Sequence, residues 1–271
     1  MFWAVIEQDV VIGSLGRAGV LTGVRWAFQS AVDRSLQEFS EADGHDNALL
    51  GNIRYTLFRD RLDRVFSCER YAVRAGDVDA DLDQLYDKLS DRDIDTMPRL
   101  DPSLVIRSDL SGSPGWVHDG LRFLLASCDY GKIDKLRWDR KSFIKQQVAK
   151  QRGPYPLQST LFEGCPPEEL GGLEAVLAAS RQLDVPTYVV GHSLSALTQQ
   201  YELVLGSPQM NGDGGPPWRW RHNLLDGQLA GGGRRGSSTP LPPGPNTEPD
   251  ASVRLRRPAS ERRGDHASGN T

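Results

Sequence analysis

The sequence predicts an α+β fold, or an irregular α/β one, in which N-terminal helices pack on a small mixed β-sheet and a disordered C-terminal tail follows. Three observations carry this. Apolar residues recur at helical spacing from Val24 to Phe66. The period then changes to short β-branched and aromatic runs at 103–125 and 187–205. Apolar residues almost vanish after Leu229, where Gly, Pro, Arg, Ser and Asp take over. The expected organisation is one folded domain over 1–226, helical over about 20–90 and sheet-bearing over about 100–210. Residues 227–271 form a Gly/Pro/Arg-rich tail that cannot bury enough surface to offset its ordering entropy.

Residues 2–12 (F-W-A-V-I-E-Q-D-V-V-I) read as one or two short strands running into Gly13-Ser14-Leu15-Gly16-Arg17-Ala18-Gly19. Strand, glycines and helix in that order form a phosphate-binding turn, with backbone N–H groups aimed at the anion. The G-x-x-G-x-x-G spacing resembles the glycine turn of the extended short-chain dehydrogenases, which would imply a bound dinucleotide. The following region reads as helix rather than a second strand ending in an acid, and the chain has no Tyr-x-x-x-Lys pair, so no cofactor is expected.

Val24–Phe39 is an amphipathic helix with Trp26, Phe28, Ala31, Val32, Leu36 and Phe39 inward. The loop Glu41-Ala42-Asp43-Gly44-His45-Asp46-Asn47 gathers three carboxylates and an imidazole. Without distant partners it reads as a Gly44 stop and an Asp46 or Asn47 N-cap, not a metal site. A second helix spans about Ala48–Ser67, burying Leu50, Ile53, Leu57, Phe58, Leu62, Val65 and Phe66. Arg54, Arg59, Asp60, Arg61, Asp63 and Arg64 are expected on its solvated side. A third helix is expected over Asp79–Leu89, a strand at Ser103–Arg107, and a hairpin over Trp116–Leu125 with Asp119-Gly120 in its turn.

The clearest charge feature is Lys132–Arg152. It holds eight basic residues against Asp134 and Asp139, while the body of the chain is acidic. The net charge is −4, and the tail carries seven arginines against four acids, which leaves the body near −7. Tyr130, Trp138 and Phe143 interleave with the cations. Basic side chains among aromatics suit phosphate contact and base stacking, which nominates Lys132, Lys135, Arg137, Trp138, Arg140, Lys141, Lys145 and Lys150 as a site for a phosphate-rich ligand or nucleic acid. Arg219 and Arg221, in the Trp218-Arg219-Trp220-Arg221-His222 run, would reinforce it on an edge strand.

Pro166-Pro167-Glu168-Glu169 opens a further helix that feeds the strand Thr187–Val190. That strand ends at Gly191-His192-Ser193-Leu194-Ser195, after which 196–205 reads either as a helix or as a hairpin returning through Tyr201–Leu205. Strand followed by G-H-S-L-S resembles the nucleophile elbow of the α/β-hydrolases over about 35 residues. The resemblance implies Ser193 as a nucleophile, with the Leu194 N–H in the oxyanion hole and His222 with Asp213 or Asp226 as partners. Ser195 stands where that turn has its second glycine, and too little chain follows to supply two more βα units. An interaction protein without catalysis is the third expectation.

Cys68, Cys128 and Cys165 are widely spaced and unpaired by motif, which suits reduced thiols in the cytoplasm. The first twelve residues lack a basic n-region and are broken by Glu7, Gln8 and Asp9, so no signal peptide is expected. No run approaches a membrane span.

Overall fold

A computed structural model describes residues 2–72, 84–151 and 185–226. All of them fall in the first of two units into which the chain divides, Met1–Gln228 and Leu229–Thr271. The expected tail, Cys165 and the helix opening at Pro166 lie outside the described residues, as do residues 79–83 of the helix expected at 79–89, of which 84–86 are helical.

The first unit has the expected α+β architecture. Helices α1 (Phe2–Arg17), α2 (Val20–Glu38) and α3 (Asn47–Val65) come first, then a short helix α4 (Asp91–Thr96). The strands are β1 (Ile106–Arg107), β2 (Gly115–His118), β3 (Leu121–Ser127), β4 (Thr187–Leu194), β5 (Tyr201–Pro208) and β6 (Trp218–Asn223), with helix α5 (Phe143–Lys150) between β3 and β4. They form one sheet in sequence order. Only β3 and β4 pair in parallel, because the long 128–186 connection returns the chain to the same end of the sheet. The other pairs are antiparallel, so the sheet is mixed. Among the described residues no helix is long and apolar enough to cross a membrane.

Side-chain alternation divides the core into two layers. Phe123, Leu125, Tyr188, Val190, Leu203 and Leu205 pack against Val11, Leu15, Phe28, Phe58, Leu62 and other residues of α1–α3. Leu124, Ala126, Val189 and Val204 face the other way, against Trp138, Ile144 and Val148 from the segment after β3. Each central strand is therefore buried on both sides. This explains why Thr187–Leu194 is an uninterrupted buried run rather than an alternating one.

Local rules account for most boundaries. The Asp46 carboxylate accepts from the Leu49 N–H at 2.8 Å and caps α3, and Gly44 takes the left-handed φ of 83° that ends the preceding turn. The His45 Nδ1 accepts from the Ser40 N–H, so that loop is a helix cap. Asp119 (φ 46°) and Gly120 (φ 70°) form the tight turn of the β2–β3 hairpin. Of the two readings of 196–205, the hairpin is the one formed.

Two expectations are corrected. Residues 2–17 are a helix, not strands into a glycine turn. Val11 and Leu15, four apart, bury together against the sheet, and this burial outweighs the β-branched character of the run. Gly13 and Gly16 are interior helical positions, so the dinucleotide turn does not form. The charged side of α3 is solvated only in part: Arg59 is exposed as expected and Asp60 is half-buried, but the other four charges are enclosed. Arg54, Arg61, Asp63 and Arg64 are all buried, because α3 is covered by α2, the sheet and the 68–72 segment. Asp60 accepts from Arg61 (2.6 Å), Arg64 (2.9 Å), Arg70 (2.5 Å) and the Tyr71 hydroxyl (2.6 Å). Asp63 accepts from Arg107 (2.5 Å) and the Trp116 indole (3.0 Å), tying α3 to β1 and β2. Sign alternation did foretell the Asp60–Arg64 pair, but as part of a buried network rather than a wet surface.

Candidate anion site at the carboxyl end of the parallel strands

The carboxyl ends of β3 and β4 open on the same edge of the sheet because the two strands run in parallel. The loops leaving them, 128–132 and 195–200, diverge there and leave a cleft of about 780 Å³. Crevices at the carboxyl ends of parallel strands are where open α/β sheets place ligands. The N-terminal half of α3 forms the remaining wall, through Asn47, Gly51, Arg54 and Tyr55. The two loops are tied to the sheet and to each other. The Tyr130 hydroxyl donates to the Gln200 side chain at 3.1 Å, and the Gly131 N–H donates to Glu202 at 2.9 Å.

Arg54 is the unusual wall residue. It is 4% exposed, and its Nε has no hydrogen-bond partner. Among the described residues no carboxylate pairs with it, although every other buried charge of α3 is paired. Burial lowers its pKa. A buried guanidinium left without a counter-charge is costly, and a bound anion is the ordinary remedy. Lys141 also lines the cleft and donates to the Ser127 carbonyl at 2.8 Å. Lys145, one turn along α5, is half-buried. Burial first, and then Lys141, bring its pKa down to about 8.

His192 reports how closely these cations converge. Its imidazole is fully buried between Phe28, Tyr55 and Phe58, with ring centroids at 5.6, 6.4 and 5.2 Å, and neither nitrogen has a partner among the described residues. Its pKa is held well below the ordinary 6.5 by burial, then by Arg54, Lys145 and Lys141. It is a neutral core ring, kept so by burial first and then by the field of the three cations. The acids nearby are already engaged: Asp129 with Lys132 at 2.7 Å, and Glu202 with Ser193 and the Gly131 N–H.

The residues nominated from the sequence fall into distinct groups. Lys132 pairs with Asp129. Arg137 forms a two-pronged pair with Asp139 at 2.9 Å and caps the Gly212 carbonyl. Arg221 makes a similar fork to Asp134 at 2.7 Å, and Arg219 binds the Ala149 and Gln151 carbonyls at the end of α5. Trp138 is wholly buried, donates to the Pro217 carbonyl at 2.6 Å and meets Trp218 edge-on at 5.1 Å, so it offers no stacking face to a base. Lys135, Arg140 and Lys150 are exposed and have no ion pair among the described residues. Among the described residues of the basic run, only Lys132 and Arg137 are neutralised by neighbouring carboxylates, and Lys141 is the member that lines the cleft with Arg54.

Ser193 and His222 are not brought together. Gly191–Leu194 continues β4 as strand and makes no elbow. Gly191 is needed because Trp218 lies over it: a Cβ there would stand 3.3 Å from the indole. The Ser193 hydroxyl is buried and donates to Glu202 at 2.6 Å, rather than to Asp213 or Asp226. His192, the next residue, points to the opposite face of the sheet. His222 is two strands away and displaced by three residues of register, on the order of 14 Å.

Sequence reasoning missed Arg54 by assigning it to the charged side. Its signal was present. Leu50 and Phe58 lie four residues before and after it, so it falls on the apolar stripe of α3. Among the described residues no group of three or more His, Cys, Asp or Glu side chains is arranged to hold a metal. No protein-family model matches the chain, and no curated protein or solved structure is significantly similar to it.

Proposed function

We propose that this protein binds a phosphate-bearing ligand, with the cleft at the carboxyl end of β3 and β4 as the site and Arg54, Lys141 and Lys145 as its cations. The observation that carries this reading is Arg54, buried in a cleft wall with no counter-charge among the described residues. The basic segment 132–152 takes part through Lys141 and Lys145, while Lys132 and Arg137 are spent on neighbouring carboxylates. A compact anion suits this arrangement better than a polynucleotide. The exposed cations Lys135, Arg140 and Lys150 lack the buried Trp138 as a stacking partner, and polynucleotide binding rests on exposed aromatics beside the charges. The free thiols of Cys68 and Cys128 suit a cytoplasmic setting for this activity.

The test is calorimetric titration of the full chain with pyrophosphate and, separately, with a short single-stranded DNA at low and moderate salt. Saturable pyrophosphate binding that Arg54→Met weakens by about tenfold or more is expected, since a charge-assisted contact is lost. DNA binding that falls steeply with salt, ignores Arg54→Met and is lost in a Lys135→Glu, Arg140→Glu double variant would move the site to the outer basic face. Absence of any anion binding would refute both.

A further inference from the structure

The mouth of the cleft is apolar as well as basic. Among the described residues seven large hydrophobic side chains stand exposed, and two of them line this cleft: Leu197, 87% exposed, and Tyr130, 39% exposed. An exposed leucine alone means nothing, but an exposed leucine and tyrosine around one cleft mark a contact surface.

This lip is also held in place. The Ser195 N–H donates to the Gln200 carbonyl at 2.8 Å, and the Thr198 N–H donates to the Ser195 hydroxyl at 3.2 Å. Leu197 is thus presented on a fixed turn, and the Tyr130 ring is pinned by its hydroxyl contact with Gln200. The cleft is open to solvent on one side, and Arg54 is set deep in its wall at 4% exposure. A terminal phosphate, with three oxygens projecting beyond its single ester link, reaches such a group more readily than a mid-strand phosphodiester. A single phosphate would fill little of about 780 Å³, a size that matches a whole small-molecule ligand.

We propose that the ligand of this site is a phosphomonoester of a compact aromatic or apolar group, its phosphate on Arg54 and Lys141 and its body against Leu197, Tyr130 and Leu50. The assignment rests on the anion reading above and adds the second half of the ligand. Leu194 and Ala196 continue the apolar lip, whereas Asn47, Asn52 and Ser195 leave polar contacts for substituents.

The probes are inorganic phosphate, phenyl phosphate and phenol, titrated into the full chain and into the Arg54→Met and Leu197→Ser variants. Phenyl phosphate is expected to bind about tenfold tighter than inorganic phosphate, from apolar area removed from water. Leu197→Ser, at an exposed position that does not threaten folding, should cut that advantage several-fold and leave inorganic phosphate unchanged. Arg54→Met should weaken both anions about tenfold or more and leave phenol unaffected. If phenyl phosphate binds no tighter than phosphate, or its advantage survives Leu197→Ser, the apolar half of the assignment is overturned while the anion site stands. If neither anion binds, or Arg54→Met changes nothing, the anion site itself falls, and this inference with it.

Discussion

Arg54→Met should make the ligand-free protein more stable. Methionine keeps the length of the aliphatic stem and fills the same slot between Leu50 and Phe58, so little packing is lost. What is removed is a cation that is 4% exposed, with an unpartnered Nε and no carboxylate paired with it among the described residues, while Lys141 lines the same cleft. Leaving a buried polar group unsatisfied costs about 1–3 kcal/mol. The same figure is the expected gain, discounted toward its lower half because the guanidinium tip reaches the cleft. For a body of this size, about 1–2 kcal/mol raises Tm by roughly 2–8 °C. The assay is thermal and urea unfolding of both proteins in phosphate-free buffer, repeated with pyrophosphate. In buffer the variant should melt higher. With ligand the order should narrow or reverse, because binding stabilises the wild type alone. A variant that melts several degrees lower in the absence of ligand would refute the reasoning, since Arg54 would then hold a stabilising contact of its own.

Three further outcomes follow from the same physics. The neutral His192 should make the protein acid-sensitive: its folded pKa is depressed below 6.5, so the unfolded chain binds the extra proton and stability falls as pH drops below 6.5. A pH series of urea melts below 6.5 should show this falling slope in the wild type and not in His192→Leu; a slope equal in both would refute the assignment. Asp60 is set lower. Burial alone would raise its pKa, but hydrogen bonds from Tyr71, Arg64 and Arg70 prevail and hold it at about 2. Its stabilising effect is complete above 3.8 and lost as pH falls toward 2. Asp60→Asn should therefore cost about 2–4 kcal/mol near neutrality and flatten the acid limb between those values; an unchanged limb would mean that the network is not a unit. Gly191→Ala should destabilise by about 1–2 kcal/mol, because its Cβ falls 3.1 Å from Val204 and 3.3 Å from Trp218; pairing it with Trp218→Phe should recover part of the loss, and an additive double variant would disprove the clash.

The parts of the fold legible in the sequence are those set by local rules or by long periodic runs. The stripes of α2 and α3, the Asp46 cap and the Asp119-Gly120 hairpin are each determined within a few residues, and they form where expected. The failures come from burial decided at long range. Phe2–Arg17 carries β-branched residues that a helix accepts once Val11 and Leu15 find the sheet. Arg61, Asp63 and Arg64 look solvated because charges usually are, but partners up to 53 residues away let them be enclosed. Trp138 sits among lysines and looked available, yet its own partner, the Pro217 carbonyl, lies 79 residues on. The G-H-S-L-S run shows the same confusion in reverse. Gly191 serves the packing of Trp218, and Ser193 serves Glu202, so an elbow-like string arises from strand packing.

The candidate site lies where local agreement breaks down. Elsewhere in the described body most enclosed charges have partners: Asp60 and Asp63 between them satisfy four arginines, although the Arg25 Nε is also buried without one. At the carboxyl end of β3 and β4 the pattern stops. An arginine without an acid and a leucine pointing into solvent line one opening, and an imidazole without a hydrogen bond lies buried against Tyr55 of its wall. Each is a cost to the folded state, and their coincidence in one place is hard to reconcile with neutral drift of surface residues. Costs of this kind are retained where they do something for function, and an entering anion with an apolar body would relieve most of them together. Removing those costs one at a time should therefore stabilise the empty protein while weakening its binding, a paired outcome that ordinary core or surface positions do not give.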